Sequence, residues 1–516
     1  LKIKTTMFEE KSMTEKNIIF ICCIAKPWIK VMDKLTLNGL TPSYIVHWRD
    51  ESELYQNSNF TDCFFQTVED AWAGKGFPAD TRPTALDEEQ LKSIAWYESQ
   101  ALIMMNRLDP TEVKMNTASR QYYFRDLVGY WLSIIKEKNI ELVVSPSIPH
   151  RVFDYALYVA CKIESLDYLS FQLTPFGSNS VMISDIEGMP KINADYGSGL
   201  LVPSAPVLSR VNKILEDYQV AIPDYMKAHA KNNKSILKPI KKTYSSLYRN
   251  IKERNFYKIK QPNTYWLTDG YLPYEKQMGW LEYISVKFKH AFKVKQLEKS
   301  YSKIVTKTLD KSTPYVFVAL HYQPEETTCP TGGSYADQIL MIQLLNEVLP
   351  SNVNIIVKEH KSQFYRDQEG SAGRSQLYYN RISSIAQRIY FDSVDSDPFA
   401  LIDDALATVT VSGTIGWESA IRGTPTLNFG RAWYEGMPRV FRIKSKLDLE
   451  TVFPKLCLLK NQNLHGEILH FHKLLEDSFI KATHYKSFIG KGDVSMDESV
   501  QNLTDGLLSH TSDKIT

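Results

Sequence analysis

The sequence predicts an α/β protein built from two doubly wound parallel-sheet units joined by a helical, basic connector. Three observations carry that expectation. Short unbroken apolar runs alternate with helical periodicity over residues 13–200 and again over 311–445, as buried parallel strands and their crossover helices do. Between 201 and 310 the alternation stops and basic helical segments replace it. The 516 residues, 43% hydrophobic and 23% charged, are also enough for more than one core.

In chain order, the segment before Met13 reads as a ragged start. Residues 17–25 form an apolar strand, Pro27 opens an amphipathic helix to 37, and 44–48 is a second strand. A polar, weakly periodic stretch follows. Residues 86–108 and 119–138 read as helices, the second with an aromatic face of Tyr122, Tyr123, Tyr130 and Trp131 that suits a core. Strand 141–145 ends in SPSIPH, helix 152–164 follows, and 168–173 and 181–183 extend the same parallel sheet. In the connector, residues 227–260 carry eleven Lys or Arg against the single acid Glu253, with Tyr244, Tyr248, Phe256 and Tyr257 interleaved. That pattern fits a solvated helical linker, or a surface resting on anionic lipid or an anionic acceptor. The second unit comprises strands at 315–320, 354–358, 389–391, 407–411 and 426–429, with helices at 335–349, 375–388, 398–404 and 415–421. Residues 446–516 contribute closing helices, at 447–460 and 464–480.

Charge excludes one class of partner: 61 basic against 59 acidic side chains leave +2, no electrostatic basis for binding nucleic acid. Cys22, Cys23, Cys63, Cys161, Cys329 and Cys457 show no metal-ligand spacing and read as reduced residues of a cytoplasmic protein. The apolar run 18–25 is too short to span a bilayer and lacks a cleavage-site pattern, which argues against secretion.

The site is expected where polar residues stand at strand ends. After strand 315–320 comes His321-Tyr322-Gln323-Pro324-Glu325; after 354–357, Lys358-Glu359-His360; after 407–411, Ser412-Gly413-Thr414. In a parallel sheet these termini share one edge, so two histidines and a hydroxyl-lined turn converge on one crevice. The Ser412 turn reads as a phosphate cradle, its amides and hydroxyls beside the positive end of a helix, with Glu418 one turn in to accept from ribose hydroxyls. An ordinary serine-capped turn is the plainer reading.

Together, VSGTIGWESAIRGTPTLNFG, LHYQPE, VKEHK and Arg374-Ser375 with Tyr378 resemble the bacterial capsule polysaccharide biosynthesis family, which includes the Kdo transferases of capsule assembly. The resemblance covers residues 310–435, and the first unit only through SPSIPHRVFDYAL. Members are similar to GT-B glycosyltransferases and bacterial sialyltransferases, so the resemblance implies two Rossmann-type domains facing a cleft and a CMP-activated ulosonic or nonulosonic donor. Its HP motif is matched at His360 alone, with Lys361 in place of proline; its QP motif matches Gln323-Pro324, and its hydroxyl motif Ser412 and Thr414. His360 and the Ser412 turn would then contact the donor phosphate and Glu418 the ribose, with His321, Gln323, Lys358 and Gly413 completing the donor site.

Such chemistry suits the residues. A departing CMP gains negative charge that a protonated His360 can neutralise, and no cofactor or metal is expected. Asp395-Ser396-Asp397 has the DxD form that binds divalent metals in another glycosyltransferase fold, but Asp397-Pro398 reads as a helix cap. Across the cleft, Asp154 is the candidate base for an inverting transfer, with His150 beside it and Asp185 in reserve; helix capping is the alternative role for Asp154. The expected protein is a cytoplasmic glycosyltransferase of surface polysaccharide synthesis, with possible peripheral contact with the inner membrane and a glycan or lipid-linked glycan acceptor. A UDP-sugar transferase or nucleotide-sugar epimerase of the same fold is the alternative, as is a non-catalytic capsule assembly or export subunit.

Overall fold

β1 (Lys16–Ile21) shows how an unbroken apolar run builds the first unit. Strand side chains alternate faces. Ile19 and Ile21 pack with residues of helices Glu88–Met104, Thr117–Glu137 and Val152–Ile163. Ile18 and Phe20 pack with Trp28, Val31 and Leu35 of helix Ala25–Thr36 and with Val500, Leu503 and Leu507 of helix Met496–Ser512. One run of hydrophobic residues thus serves two helical layers, as a sheet covered on both faces requires. The computed structural model describes residues 16–23, 25–107, 115–188, 192, 199–221, 237–254, 280–306, 312–366, 370–460, 462–484 and 493–512.

β2 (Leu40–His47), β3 (Phe64–Thr67), β4 (Ile140–Val144) and β5 (Asp167–Leu173) join β1 in parallel in the order β3-β2-β1-β4-β5. β6 (Asn179–Ile183) corrects the sequence expectation, because it pairs antiparallel with β5. Only residues 174–178 separate the two strands, too few for the crossover that a parallel pair needs. β3 lies in the stretch that periodicity left unassigned.

The second unit contains β7 (Tyr315–Ala319), β8 (Asn354–Lys358), β9 (Ile389–Asp392), β10 (Ala407–Thr410), β11 (Thr426–Asn428) and β12 (Val440–Arg442). All pair in parallel, in the order β12-β11-β10-β7-β8-β9. This is the doubly wound order, with its switch point between β7 and β10. Val316, Val318, Ile355 and Val357 face helix Gln338–Val348, while Tyr315, Phe317 and Ile356 face Phe399, Ile402, Trp417 and Ala420. The architecture is therefore α/β and GT-B-like, with two Rossmann-type units.

Helix His465–Asp477 stops short of the expected 480, and β13 (Phe479–Lys481) pairs antiparallel with β6. Helix Met496–Ser512 then packs on Ala25–Thr36, so the closing segment returns to the first unit. The connector contains helices Ala205–Leu215, Tyr218–Ala221, Lys238–Lys252 and Trp280–Ile304. Of the basic run 227–260, residues 227–236 and 255–260 lie outside the described residues. The carboxyl edges of the sheets face each other: His150, beyond β4, lies 3.3 Å from Glu326, beyond β7. Trp96 Nε1 donates to Ser334 Oγ at 3.4 Å beside them. No helix among the described residues is long and apolar enough to cross a membrane.

Candidate functional site

His321 lies at the switch point, immediately beyond β7, and its ring is committed inward. Nε2 accepts from the amides of Val411 and Ser412, each at 3.2 Å, and from Thr410 Oγ1 at 2.7 Å. The proton therefore sits on Nδ1, which is 3.4 Å from Thr327 Oγ1. Burial pushes the imidazole pKa down to about 3, with His360 and Arg374 adding to the effect. His321 thus bolts the end of β7 to the turn after β10. The same bonds turn the Val411 and Ser412 amides away from the crevice, and Gly413 N donates to Thr410 Oγ1 at 3.3 Å. The cradle expected from the sequence is accordingly narrower. Helix Thr414–Ile421 has Gly413 at its cap with no side-chain cap bond; Gly416 N donates back to Gly413 O at 3.0 Å, and the amides of Thr414 and Ile415 are those the first turn can offer outward. Thr414 is exposed there, and Ser412 Oγ donates to Thr327 O at 2.5 Å while keeping its lone pairs.

Beyond β8, Lys358, Glu359 and His360 point to different tasks. Lys358 Nζ donates to Ser393 O at 2.8 Å, and burial lowers its pKa to about 8. His360 caps the 3-10 turn Lys361–Phe364, its Nδ1 accepting from Ser362 N at 3.2 Å. That bond places the proton on Nε2, so the ring presents an N–H donor. Burial, then Lys358 and Arg374, push its pKa down to about 4; the unliganded imidazole is neutral at pH 7 rather than the imidazolium anticipated. Lys361, which stands where the family motif has proline, starts the turn and pairs with Asp395 at 2.7 Å. Asp397 caps helix Pro398–Asp404 by accepting from Phe399 N at 2.8 Å, so both carboxylates of the DxD match have structural partners.

Periodicity gave no hint of the group that binds these loops together. Arg374 and Glu359 pair at 2.9 Å with both side chains wholly inaccessible. Arg374 also donates to His321 O at 2.9 Å, to Gly373 O at 3.0 Å and to Gln323 Oε1, and lies over the Tyr378 ring at 4.2 Å. Glu359 accepts from Tyr379 Oη at 2.9 Å and from the His360 amide at 2.8 Å. One buried ion pair therefore positions both histidine loops. Gln323 is held further by Gln363, whose Oε1 accepts from its amide and whose Nε2 donates to its carbonyl, both at 2.9 Å. Its own Nε2 donates to Ala336 O at 2.5 Å, so Gln323 is occupied within the scaffold. The sequence signal was the Arg374-Ser375 pair within the family-like segments, but not its role.

Glu418 lies on the same helix as Thr414 and is buried, with its pKa raised to about 7 by burial against the opposing pull of Arg210 and Arg422. A carboxyl balanced near neutrality can accept from or donate to a diol.

Across the cleft, Asp154 is fully buried and closes a capping box: Oδ1 accepts from Arg151 N at 2.7 Å and Oδ2 meets Arg151 Nη1 at 3.3 Å. Burial raises its pKa to about 7 despite these contacts. Asp185 is held by Tyr158 Oη at 2.6 Å and Lys162 Nζ at 3.1 Å. His150 is half-buried, with Nδ1 2.7 Å from Ile148 O and within reach of Glu326, an arrangement that makes Nε2 the ring's acceptor. Of the three residues considered on this side, His150 alone joins the two units.

No protein-family model matches the chain, and no curated protein matches it. Among solved structures, KpsC of Thermosulfurimonas dismutans, a beta Kdo 2,7 transferase, is similar at 14% identity and a TM-score of 0.22, over 44% of this chain and 67% of that one. A glycosyltransferase from Rickettsia africae is similar at 10% identity and a TM-score of 0.23, over 96% and 98%. UDP-GlcNAc 2-epimerase of Neisseria meningitidis, bound to UDP-GlcNAc, is similar at 8% identity and a TM-score of 0.22, over 90% and 99%. Likenesses at this level say nothing about substrate.

Proposed function

We propose that this chain is a glycosyltransferase that moves a sugar from a nucleotide donor to a glycan acceptor, with a CMP-linked ulosonic or nonulosonic acid as the donor. The observation that carries the reading is the arrangement at the switch point. His360 Nε2–H and the uncapped first turn at Thr414 belong to loops beyond β8 and β10; His321, from β7 between them, braces the β10 turn, and the Arg374–Glu359 pair ties His321 O to the His360 loop. A phosphate in that crevice meets an imidazole donor, helix amides and the Thr414 hydroxyl, while Ser412, whose proton goes to Thr327 O, fixes the turn that carries them. Glu418, one turn further, suits the ribose hydroxyls.

In the transfer, an acceptor hydroxyl attacks the anomeric carbon while the bond to the phosphate oxygen breaks, and the electron pair leaves on CMP. His360 donates a hydrogen bond to that oxygen as its charge grows. The bound anion also favours protonation of the imidazole, which can then supply a proton. His150 Nε2, on the opposing edge, is placed to receive the acceptor's proton; Asp154, with both oxygens bound inside the capping box, orients the His150–Arg151 loop.

Two measurements test this. CMP should raise the melting temperature more than UDP; a UDP preference would point to a UDP-sugar enzyme of the same fold, and no response to either would remove the donor site. His360→Ala should lower turnover at saturating donor about 10²- to 10⁴-fold with a smaller loss of affinity, and His360→Gln should restore part of it. Turnover within a few-fold of the parent would refute the assignment.

A further inference from the structure

Large apolar side chains left bare on this protein are concentrated in one region. Of the twenty described as exposed, twelve lie between Leu200 and Phe292, and the helices Lys238–Lys252 and Trp280–Ile304 account for most of the ring-bearing ones. These helices pack against each other. Trp280–Ile304 already has a core-facing side, because Val294, Leu297 and Tyr301 join the second unit's core. A different stripe, Leu281, Ser285, Phe288, Phe292, Lys295 and Lys299, repeats at helical spacing and is exposed along its length, Leu281 to 85%. Three of its first four residues are apolar, and its last two are basic.

Lys238–Lys252 has inverted polarity. Thr243 and Asn250 are buried, whereas Leu237, Lys241, Tyr244, Tyr248 and Ile251, again at helical spacing, face outward, with Tyr248 at 70%. A helix stabilised by the protein core alone would show the opposite pattern. Charge identifies what these stripes fit. Residues 237–254 and 280–304 contain twelve Lys or Arg against three Glu, on a chain whose total is only +2.

We propose that this helical pair is a membrane-docking surface that lies in the interface of an anionic lipid bilayer. The aromatic and aliphatic side chains enter the headgroup region and the lysines contact lipid phosphates. The inference does not depend on the donor assigned above. Docking on a bilayer would hold the cleft beside an acceptor carried on lipid.

Flotation of the full chain with vesicles decides it. The chain should float with mixed phosphatidylglycerol and phosphatidylcholine vesicles, not with phosphatidylcholine alone, and should be released at about 1 M salt, where the screening length is about 3 Å. Lys241→Glu/Lys295→Glu/Lys299→Glu should weaken partitioning by about a hundredfold or more. Phe288→Ser/Phe292→Ser, with every charge retained, should weaken it by about tenfold or more, a loss that a purely electrostatic contact would not show. All five positions are exposed, so melting temperatures should match the parent's. Failure of the parent to float, equal flotation with phosphatidylcholine, or binding to heparin without flotation would each overturn the proposal. So would a concentration-dependent dimer that Phe288→Ser/Phe292→Ser abolishes in a chain that does not float.

Discussion

Replacing Arg374 with methionine would remove the cation that holds three loops of the second unit while keeping much of its volume. The Glu359 side chain, wholly inaccessible, would retain donors only in Tyr379 Oη and the His360 amide. Stranding a buried charge costs about 3–5 kcal/mol. His321 O, Gly373 O and Gln323 Oε1 would lose a donor as well, which places the loss toward the upper end of that range. For a unit the size of residues 311–445, 1 kcal/mol moves the melting temperature by at least about 2–4 °C, so a drop of about 10 °C or more is expected. Arg374→Met/Glu359→Gln separates the pair from the individual residues. With no carboxylate left to strand, the double variant should recover about 1–3 kcal/mol relative to the sum of the single variants. Thermal unfolding of the four proteins, followed by near-ultraviolet circular dichroism, measures both quantities. A single variant that melts within about 2 °C of the parent, or strictly additive effects, would refute the idea that this pair organises the site.

Acid stability should show the buried histidines. His321 is held near 3, and His360, His472 and His484 near 4, against 6.5 for the free ring, so their contribution is complete above pH 6.5 and is lost as pH falls toward those values. Asp154 and Glu418, raised to about 7, act in the opposite sense, because their burial is costly at neutral pH and relieved on acidification. His47 is also lowered, and Asp33 and Glu69 are also raised, by burial, so the two effects oppose each other down to about pH 4.5. Between there and about 4 the carboxyl relief is complete while the unfolded chain still holds histidine protons that the folded one lacks, so stability should fall, and a melting temperature flat across that lower window would contradict these assignments. Gly416→Ala should cost about 1–3 kcal/mol in denaturant unfolding, because its Cβ would meet Tyr434 Oη and come within 2.7 Å of Thr426 Cγ2. Thr414→Val, at an exposed position, should leave stability unchanged while lowering nucleotide affinity roughly tenfold in calorimetric titration; Ser412→Ala should instead show mainly a loss of stability, from the Thr327 bond.

Local pattern alone determined the strands β1, β4, β5, β7, β8 and β10, the two-unit organisation, and the placing of His321, His360 and Ser412 at strand ends. Each is a property of short segments: an unbroken apolar run buried on both faces cannot continue past the sheet edge, and a polar residue marks where it stops. Tertiary structure decided partnership and direction. Whether 181–183 ran with or against β5 depended on a turn too short for a crossover, and whether 479–481 closed a helix or joined β6 depended on an edge almost 300 residues away. The same division holds at the site. Which amides of the Ser412 turn stay open depends on His321, about ninety residues earlier, accepting two of them. Whether His360 carries a charge depends on burial and on its neighbours Lys358 and Arg374. Asp154 could be named as either a base or a cap from its spacing, and only its complete enclosure beside Arg151 assigns it to the cap. Hydrogen bonds and desolvation act between groups that the chain brings together only on folding, so no segment read alone contains them.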